Sequence, residues 1–150
     1  MNIKRKTRKI MTNFDELLEK SRKHQRTHNP NREHDLQVAC VEWFRYQYSR
    51  LTLRLFAVPN GGYRDRKTAS KLKDEGVISG VSDLILLKPN RHFHALLIEI
   101  KVSEKYSRQS VEQKEWQLSL TSLDEYKYVV CRSIDDFMRE VNDYLKGINL

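Results

Sequence analysis

A chain of 150 residues with 39% hydrophobic and 32% charged residues is the size of one ordinary domain, with a lean core that buries about 70% of its unfolded surface. No apolar run is long enough to span a bilayer and no apolar segment follows the basic N-terminus, so a soluble, intracellular and cytoplasmic protein is expected. The formal net charge of +8 is concentrated in a tail: residues 1–32 carry ten Lys/Arg against three acids, a balance of +7, and the rest of the chain carries 18 against 17.

Residues 1–11, with Lys4, Arg5, Lys6, Arg8 and Lys9, read as disordered. An arm of this kind suits a phosphate backbone through an attraction that weakens steeply with salt. Its ordinary alternative is a solvated tail that keeps the protein soluble. Thr12 or Asn13 is placed to cap a short helix carrying Phe14, Leu17 and Leu18 at i, i+3, i+4 spacing, which would dock on the core or on a partner. Residues 21–31 read as a polar linker, and Asn29-Pro30 signals a helix start.

The first secure element is a helix over about Asn31–Tyr48. Leu36, Ala39, Cys40, Trp43, Phe44 and Gln47 form its stripe, and most of that stripe is core. Glu33 and Gln37 lie one turn apart at its beginning. Glu33 is either a first-turn acid favoured by the helix dipole or a group reaching toward a metal at the hairpin described below. Thr52–Val58 reads as a strand. Pro59-Asn60-Gly61-Gly62 then breaks it, and Tyr63-Arg64-Asp65-Arg66-Lys67 gives a basic loop with an aromatic inside. Glycines there let backbone approach a ligand, and Arg64 and Arg66 can fork onto phosphates; a surface loop without a ligand explains them equally. Lys67–Glu75 reads as a short helix with Ala69 and Leu72 inward and Gly76 as its stop.

Residues 80–101 read as a β-hairpin, with apolar runs over Leu84–Leu87 and Phe93–Val102 and turn chemistry at Pro89-Asn90-Arg91. Side chains alternate along a strand, so Glu99 and Lys101 share one face while Ile98, Ile100 and Val102 share the other. That face is polar by design or by exposure. If Lys88 pairs with His94, paired numbers sum to 182 and Asp83 falls opposite Glu99; a turn one residue shorter throws Asp83 onto the wrong face. The even register, or a bulge that restores it, is therefore expected. Opposed Cβ atoms lie roughly 4.5–5.5 Å apart, so two carboxylates would repel unless a cation lay between them. With the backbone carbonyl of Ile100 they form a hard oxygen set for Mg²⁺ or Mn²⁺, and Lys101 would steady the developing charge in phosphodiester hydrolysis. The plain alternative for Glu99-x-Lys101 is a surface ion pair of little energetic consequence.

A polar loop over 103–109 holds Lys105 and Arg108. Ser110 and Gln113 have capping-box spacing for a helix reaching about Leu120, with Val111, Trp116 and Leu120 among its apolar residues. Tyr126–Cys131 reads as a strand. Ser133 caps a last helix through Ile134, Phe137, Met138, Val141 and Leu145, with Gly147 ending it. The order α, β, short α, β, β, α, β, α is that of an α/β domain with a mixed sheet flanked by helices. Cys40 and Cys131 fall at apolar positions and are expected to be small core hydrophobes, forming neither a disulfide nor a zinc site. His24, His28, His92 and His94 are expected at the surface.

Glu33-x-x-x-Gln37, Pro59-Asn60-Gly61-Gly62-x-Arg64, Gly80-Val81-x-Asp83-Leu84, Glu99-x-Lys101 and Gln113-x-x-Trp116 together resemble, in order and spacing, the virus-type replication-repair nuclease (VRR-NUC) domain, a branch of the PD-(D/E)XK nuclease superfamily. The resemblance covers roughly Arg32 to Ile134. It implies a restriction-endonuclease-like core over residues 32–150, with residues 1–31 as a basic arm outside it. It also implies a metal-dependent endodeoxyribonuclease, with Asp83 and Glu99 as ligands of Mg²⁺ or Mn²⁺, Lys101 as catalytic lysine, Glu33 as a metal-site or water-bridging acid, and Gln113 as an active-site glutamine. DNA would meet Asn60, Gly61, Gly62, Arg64, Arg66, Lys67, Lys105, Arg108 and the arm. The sequence departs from the pattern at Ser82, where proline usually precedes the aspartate. Small stand-alone relatives resemble virus-encoded homodimers acting on four-way (Holliday) junctions in a bacterial host. The competing functions are a non-catalytic DNA-binding module on the same fold and a replication or repair recruitment factor.

Overall fold

The computed structural model describes residues 15–16, 18–19, 32–59, 66–102 and 108–148. In chain order these form α1 (Arg32–Gln47), a 3₁₀ segment (Ser49–Arg54), β1 (Leu55–Ala57), α2 (Arg66–Asp74), β2 (Leu84–Leu86), β3 (Ala95–Ile100), α3 (Val111–Thr121), β4 (Tyr126–Cys131) and α4 (Ile134–Leu145). The strands make one sheet in the order β1-β2-β3-β4. The first two pairings are antiparallel and the last is parallel, the chain reaching β4 by a crossover through α3. This is the expected mixed sheet flanked by helices, and it fits a PD-(D/E)XK-like fold.

The hairpin register is the even one. Leu84 pairs with Ile98, Ile85 with Leu97 and Leu86 with Leu96. The ladder stops short of Lys88 and His94 because the His94 N–H donates instead to the Glu125 carbonyl at 2.8 Å, on the approach to β4. The reversal is built around Asn90, whose side-chain oxygen accepts from the N–H groups of His92 and Phe93 at 2.8 and 2.7 Å. His92 and His94 are exposed beside it. Tyr144 of α4 donates its hydroxyl to the Lys88 carbonyl at 2.8 Å, pinning the turn to the last helix.

One face of the sheet carries the main core. Leu84, Leu86, Leu96, Ile98, Ile100 and Cys131 meet Leu36, Ala39, Cys40, Trp43 and Phe44 of α1 and Ile134, Phe137, Val141, Tyr144 and Leu145 of α4, and Leu18 packs partly buried against this cluster. The short N-terminal helix, described at residues 15–16 and 18–19, therefore docks on the core; Phe14 and Leu17 lie outside the described residues. α4 is amphipathic at helical spacing and is capped as expected by Ser133, whose side chain accepts from the Asp136 N–H.

The strand expected over Thr52–Val58 begins only at Leu55. Leu51, Leu53 and Leu55 alternate as a strand would require, yet Leu51 and Leu55 are buried while Leu53 is 95% exposed. A 3₁₀ turn explains this, because it brings residues about three to four apart onto one side. Thr52 reinforces it by donating its hydroxyl to the Ser49 carbonyl at 2.8 Å, a local bond that competes with extended pairing.

Cys40 and Cys131 both lie fully buried in the core as free thiols. Burial pushes the Cys40 thiol well above its ordinary value. Cys131 is pushed up to about 12, by burial first and then by the charge of Glu140. An exposed thiolate is the reactive species. A thiol-specific disulfide reagent is therefore expected to label neither cysteine in the native protein and both in denaturant; prompt native labelling would contradict the packing.

Candidate active site

The second face of β3 carries Ala95, Leu97 and Glu99 and is also buried. This face is polar at its Glu99 end without being exposed: Glu99 is 0% and Lys101 only 8% solvent-accessible. Its cover comes from α3, whose Trp116 meets Tyr128 of β4 edge-on at 6.2 Å between ring centroids. No residue of α3 is itself fully buried. Val111, expected among the apolar residues of that helix, is exposed.

Glu99 is wrapped in donors rather than hydrocarbon. Its Oε1 accepts from the Lys101 ammonium at 2.7 Å and from the side-chain amide of Gln113. Its Oε2 accepts from the Tyr128 hydroxyl at 3.3 Å. Gln113 does two jobs with its two ends. Its Oε1 accepts from the Ser110 N–H at 2.8 Å while its own N–H donates to the Ser110 hydroxyl, completing the capping box of α3. That leaves Nε2 for Glu99. One side chain thus completes the cap and also reaches Glu99.

Asp83 sits one residue before β2, where the observed register runs on toward Glu99. Its Oδ2 accepts from the Ile100 N–H at 2.7 Å, so the carboxylate is tied to the backbone between Glu99 and Lys101. Its own carbonyl accepts from the Val58 N–H at 2.9 Å, which extends the β1 pairing and fixes the strand entry. Ser82 adds to this. Where the family pattern has proline, the buried serine donates its hydroxyl to the Leu84 carbonyl at 3.2 Å.

The electrostatics follow from this crowding. Burial raises the Asp83 carboxyl above its ordinary value; the Ile100 N–H and the Lys101 charge oppose the rise and the Glu33 charge adds to it. Burial also raises Glu99, with Lys101 opposing and Asp83 adding. For Lys101 burial works downward but is outweighed by its bond to Glu99 and by the charges of Glu99, Glu33 and Asp83, so its net displacement is upward. Glu33, half-buried in the first turn of α1, is therefore electrically part of the site. Three acids face one ammonium, an imbalance that favours binding a cation.

Among the described residues no group of three His, Cys, Asp or Glu converges tightly enough to hold a metal ion by itself. The available donors are the Asp83 and Glu99 carboxylates and the Ile100 carbonyl, with Glu33 farther out. An all-oxygen set of one or two carboxylates completed by water is what Mg²⁺ ordinarily uses. Of the residues expected to touch DNA, Lys67 and Arg108 are exposed, and Arg66 opens α2. Asn60, Gly61, Gly62, Arg64, Lys105, Lys4, Arg5, Lys6, Arg8 and Lys9 lie outside the described residues, as do His24 and His28.

Sequence reasoning missed two contributors. Tyr128 reads only as a strand former, yet its hydroxyl reaches Glu99; its place beside Leu97 in the parallel register, on the Glu99 face, is the signal that finds it. Gly80 reads as a lead-in to the hairpin and as the start of the motif that ends in Asp83-Leu84, with no contact of its own assigned. It adopts φ +85°, and a Cβ on it would fall 2.5 Å from the Glu112 carbonyl carbon and 2.7 Å from the Gln113 nitrogen, so the first turn of α3 rests directly on this glycine.

No protein-family model matches the chain, and the comparison with curated proteins found no match. Among solved structures it is similar to a VRR_NUC domain protein, with a TM-score of 0.63 and 27% sequence identity over 76% of this chain and 88% of that one.

Proposed function

From a chain built as a VRR-NUC-type nuclease domain, we propose a Mg²⁺- or Mn²⁺-dependent endonuclease that hydrolyses phosphodiester bonds in DNA, selective for branched substrates such as four-way junctions and acting as a homodimer. The observation that carries the reading is the Glu99–Lys101 pair at 2.7 Å, enclosed on a sheet face with Asp83 tied to the backbone between them. A surface ion pair would be solvated; this one is not. Junction preference and dimerisation come from the family resemblance, and paired cuts across a junction need two such sites.

Asp83, Glu99 and the Ile100 carbonyl would hold the ion, with Glu33 reaching it through water. A bound divalent ion supplies Lewis-acid stabilisation at the phosphoryl group and eases ionisation of the attacking water. Lys101, kept protonated by its acidic neighbours, places a fixed positive charge where negative charge grows on the scissile phosphate. Gln113 and Tyr128 hold the Glu99 carboxylate in place, so reorganisation at the moment of reaction is small. Arg66, Lys67 and Arg108, with the loop glycines and the basic arm, would bind the phosphate backbone on either side.

Incubation with labelled four-way junction, flap and linear duplex, in Mg²⁺ or Mn²⁺ against EDTA, tests this directly. Metal-dependent cutting, fastest on the junction, is expected. Equal rates on all three would remove the branched selectivity, and no cutting of any DNA would remove the nuclease. One observation favours a non-catalytic DNA-binding module: both Glu99 oxygens already have protein donors. Junction binding without cutting in any divalent metal would select that reading.

A further inference from the structure

Lys101 and Gln113 account for only one oxygen of Glu99. The other meets the Tyr128 hydroxyl at 3.3 Å. Tyr128 does not act alone: its oxygen accepts from the Gln109 side-chain amide at 3.2 Å, and that same Nε2 also donates to the side-chain Oε1 of Gln117 in α3 at 2.9 Å. A phenol has a single proton. With Gln109 donating to the phenol oxygen, that proton is directed at Glu99. The ring itself is held by Trp116 at its edge, and β4 holds the backbone beside Leu97.

We infer that Tyr128 is a positioning residue for Glu99, oriented by Gln109 and Gln117, and that this relay fixes the carboxylate in the pose that a divalent ion requires. The inference rests on the nuclease reading above. It gives α3 two grips on the same acid: a direct one through Gln113, and an indirect one through Gln117, Gln109 and Tyr128. Groups that orient a metal-binding carboxylate without touching the ion commonly affect affinity or rate by about 10–100-fold.

Tyr128→Phe keeps the ring and removes only the donor. Gln109→Ala, on the loop before α3, removes the orienting group and serves as a second variant if the first is poorly folded. Each is compared with the wild type by thermal melting, by calorimetric titration with Mn²⁺ alone, and by steady-state cleavage of a junction. For Tyr128→Phe the expected result is a preserved fold, an Mn²⁺ dissociation constant about 10-fold higher, kcat about 10-fold lower and KM for DNA unchanged. Gln109→Ala should shift the same quantities in the same direction but less, and the double variant should be no worse than Tyr128→Phe, since both act along one line. Wild-type Mn²⁺ affinity and kcat in Tyr128→Phe would overturn the inference and leave the nuclease reading standing. Additive losses in the double variant would overturn the relay through Gln109. A wild-type protein that neither binds Mn²⁺ nor cuts DNA would bring down the nuclease reading and this inference with it.

Discussion

Asp83→Asn is expected to lower DNA cleavage by roughly 10³-fold while making the metal-free protein more stable. The exchange keeps the shape and an oxygen able to accept from the Ile100 N–H. What it removes is a charge that the fold disfavours: burial first, and then the Glu33 charge, raise the carboxyl above its ordinary value. A carboxyl with its folded pKa raised binds its proton more tightly in the native state, so its stabilising contribution is complete below 3.8 and is lost as pH rises through the raised value. At neutral pH Asp83 is therefore a cost that asparagine relieves. Thermal melts in EDTA at pH 7.5 should place the variant above the wild type, and the gap should close as the pH falls toward 4. Excess Mn²⁺ should reverse the order, because native-state binding at a hundred times Kd stabilises the wild type by about 2.7 kcal/mol and the variant by far less. A variant that melts below the wild type in EDTA, or that still cuts, would refute the account of this residue.

The second large effect is expected at a residue with no side chain. Gly80→Ala adds one carbon, but at φ +85° and 2.5 Å from the Glu112 backbone, where ordinary contact begins near 3.4 Å. Left-handed backbone costs a residue with a Cβ about 1–2 kcal/mol, and forcing an extra methyl into a filled space typically costs another 1–3 kcal/mol. The loss, about 2–5 kcal/mol, is readable in a urea titration. The alternative to strain is for the first turn of α3 to retreat, carrying Gln113 off Glu99. A misplacement of ~1 Å can cost about 10²-fold in rate, so kcat should fall by 10-fold or more even in the folded fraction. Wild-type stability together with wild-type kcat would show that the helix has slack there.

The hairpin was legible because a strand has a period of two. Three charges in an apolar run had to be reconciled with one buried face, and only the even register puts Asp83 and Glu99 together; the pairing of Leu84 with Ile98 is that register. The two capped helices were legible for a similar reason, since Ser110/Gln113 and Ser133 are local chemistry that needs no knowledge of the fold. The failures lie where tertiary contact decides. Leucines at 51, 53 and 55 fit a strand and a turn about equally, and only the docking of α1 selects the turn. The burial of Glu99 could not be read from its neighbours in the chain, because α3, which covers it, begins more than ten residues later. Tyr128 and Gly80 escaped for the same reason: each acts on something distant in sequence and adjacent in space.

β3 has neighbours on both edges and side chains enclosed on both faces. Amides in such a strand exchange with solvent only when the whole molecule opens. The backbone that carries Glu99 is thus expected in the slowest-exchanging part of the protein, while the pose of its carboxylate is left to Lys101, Gln113 and Tyr128. Adjustment to a ligand of different shape, on this architecture, would have to proceed through segments at the periphery, with the central strand left in place.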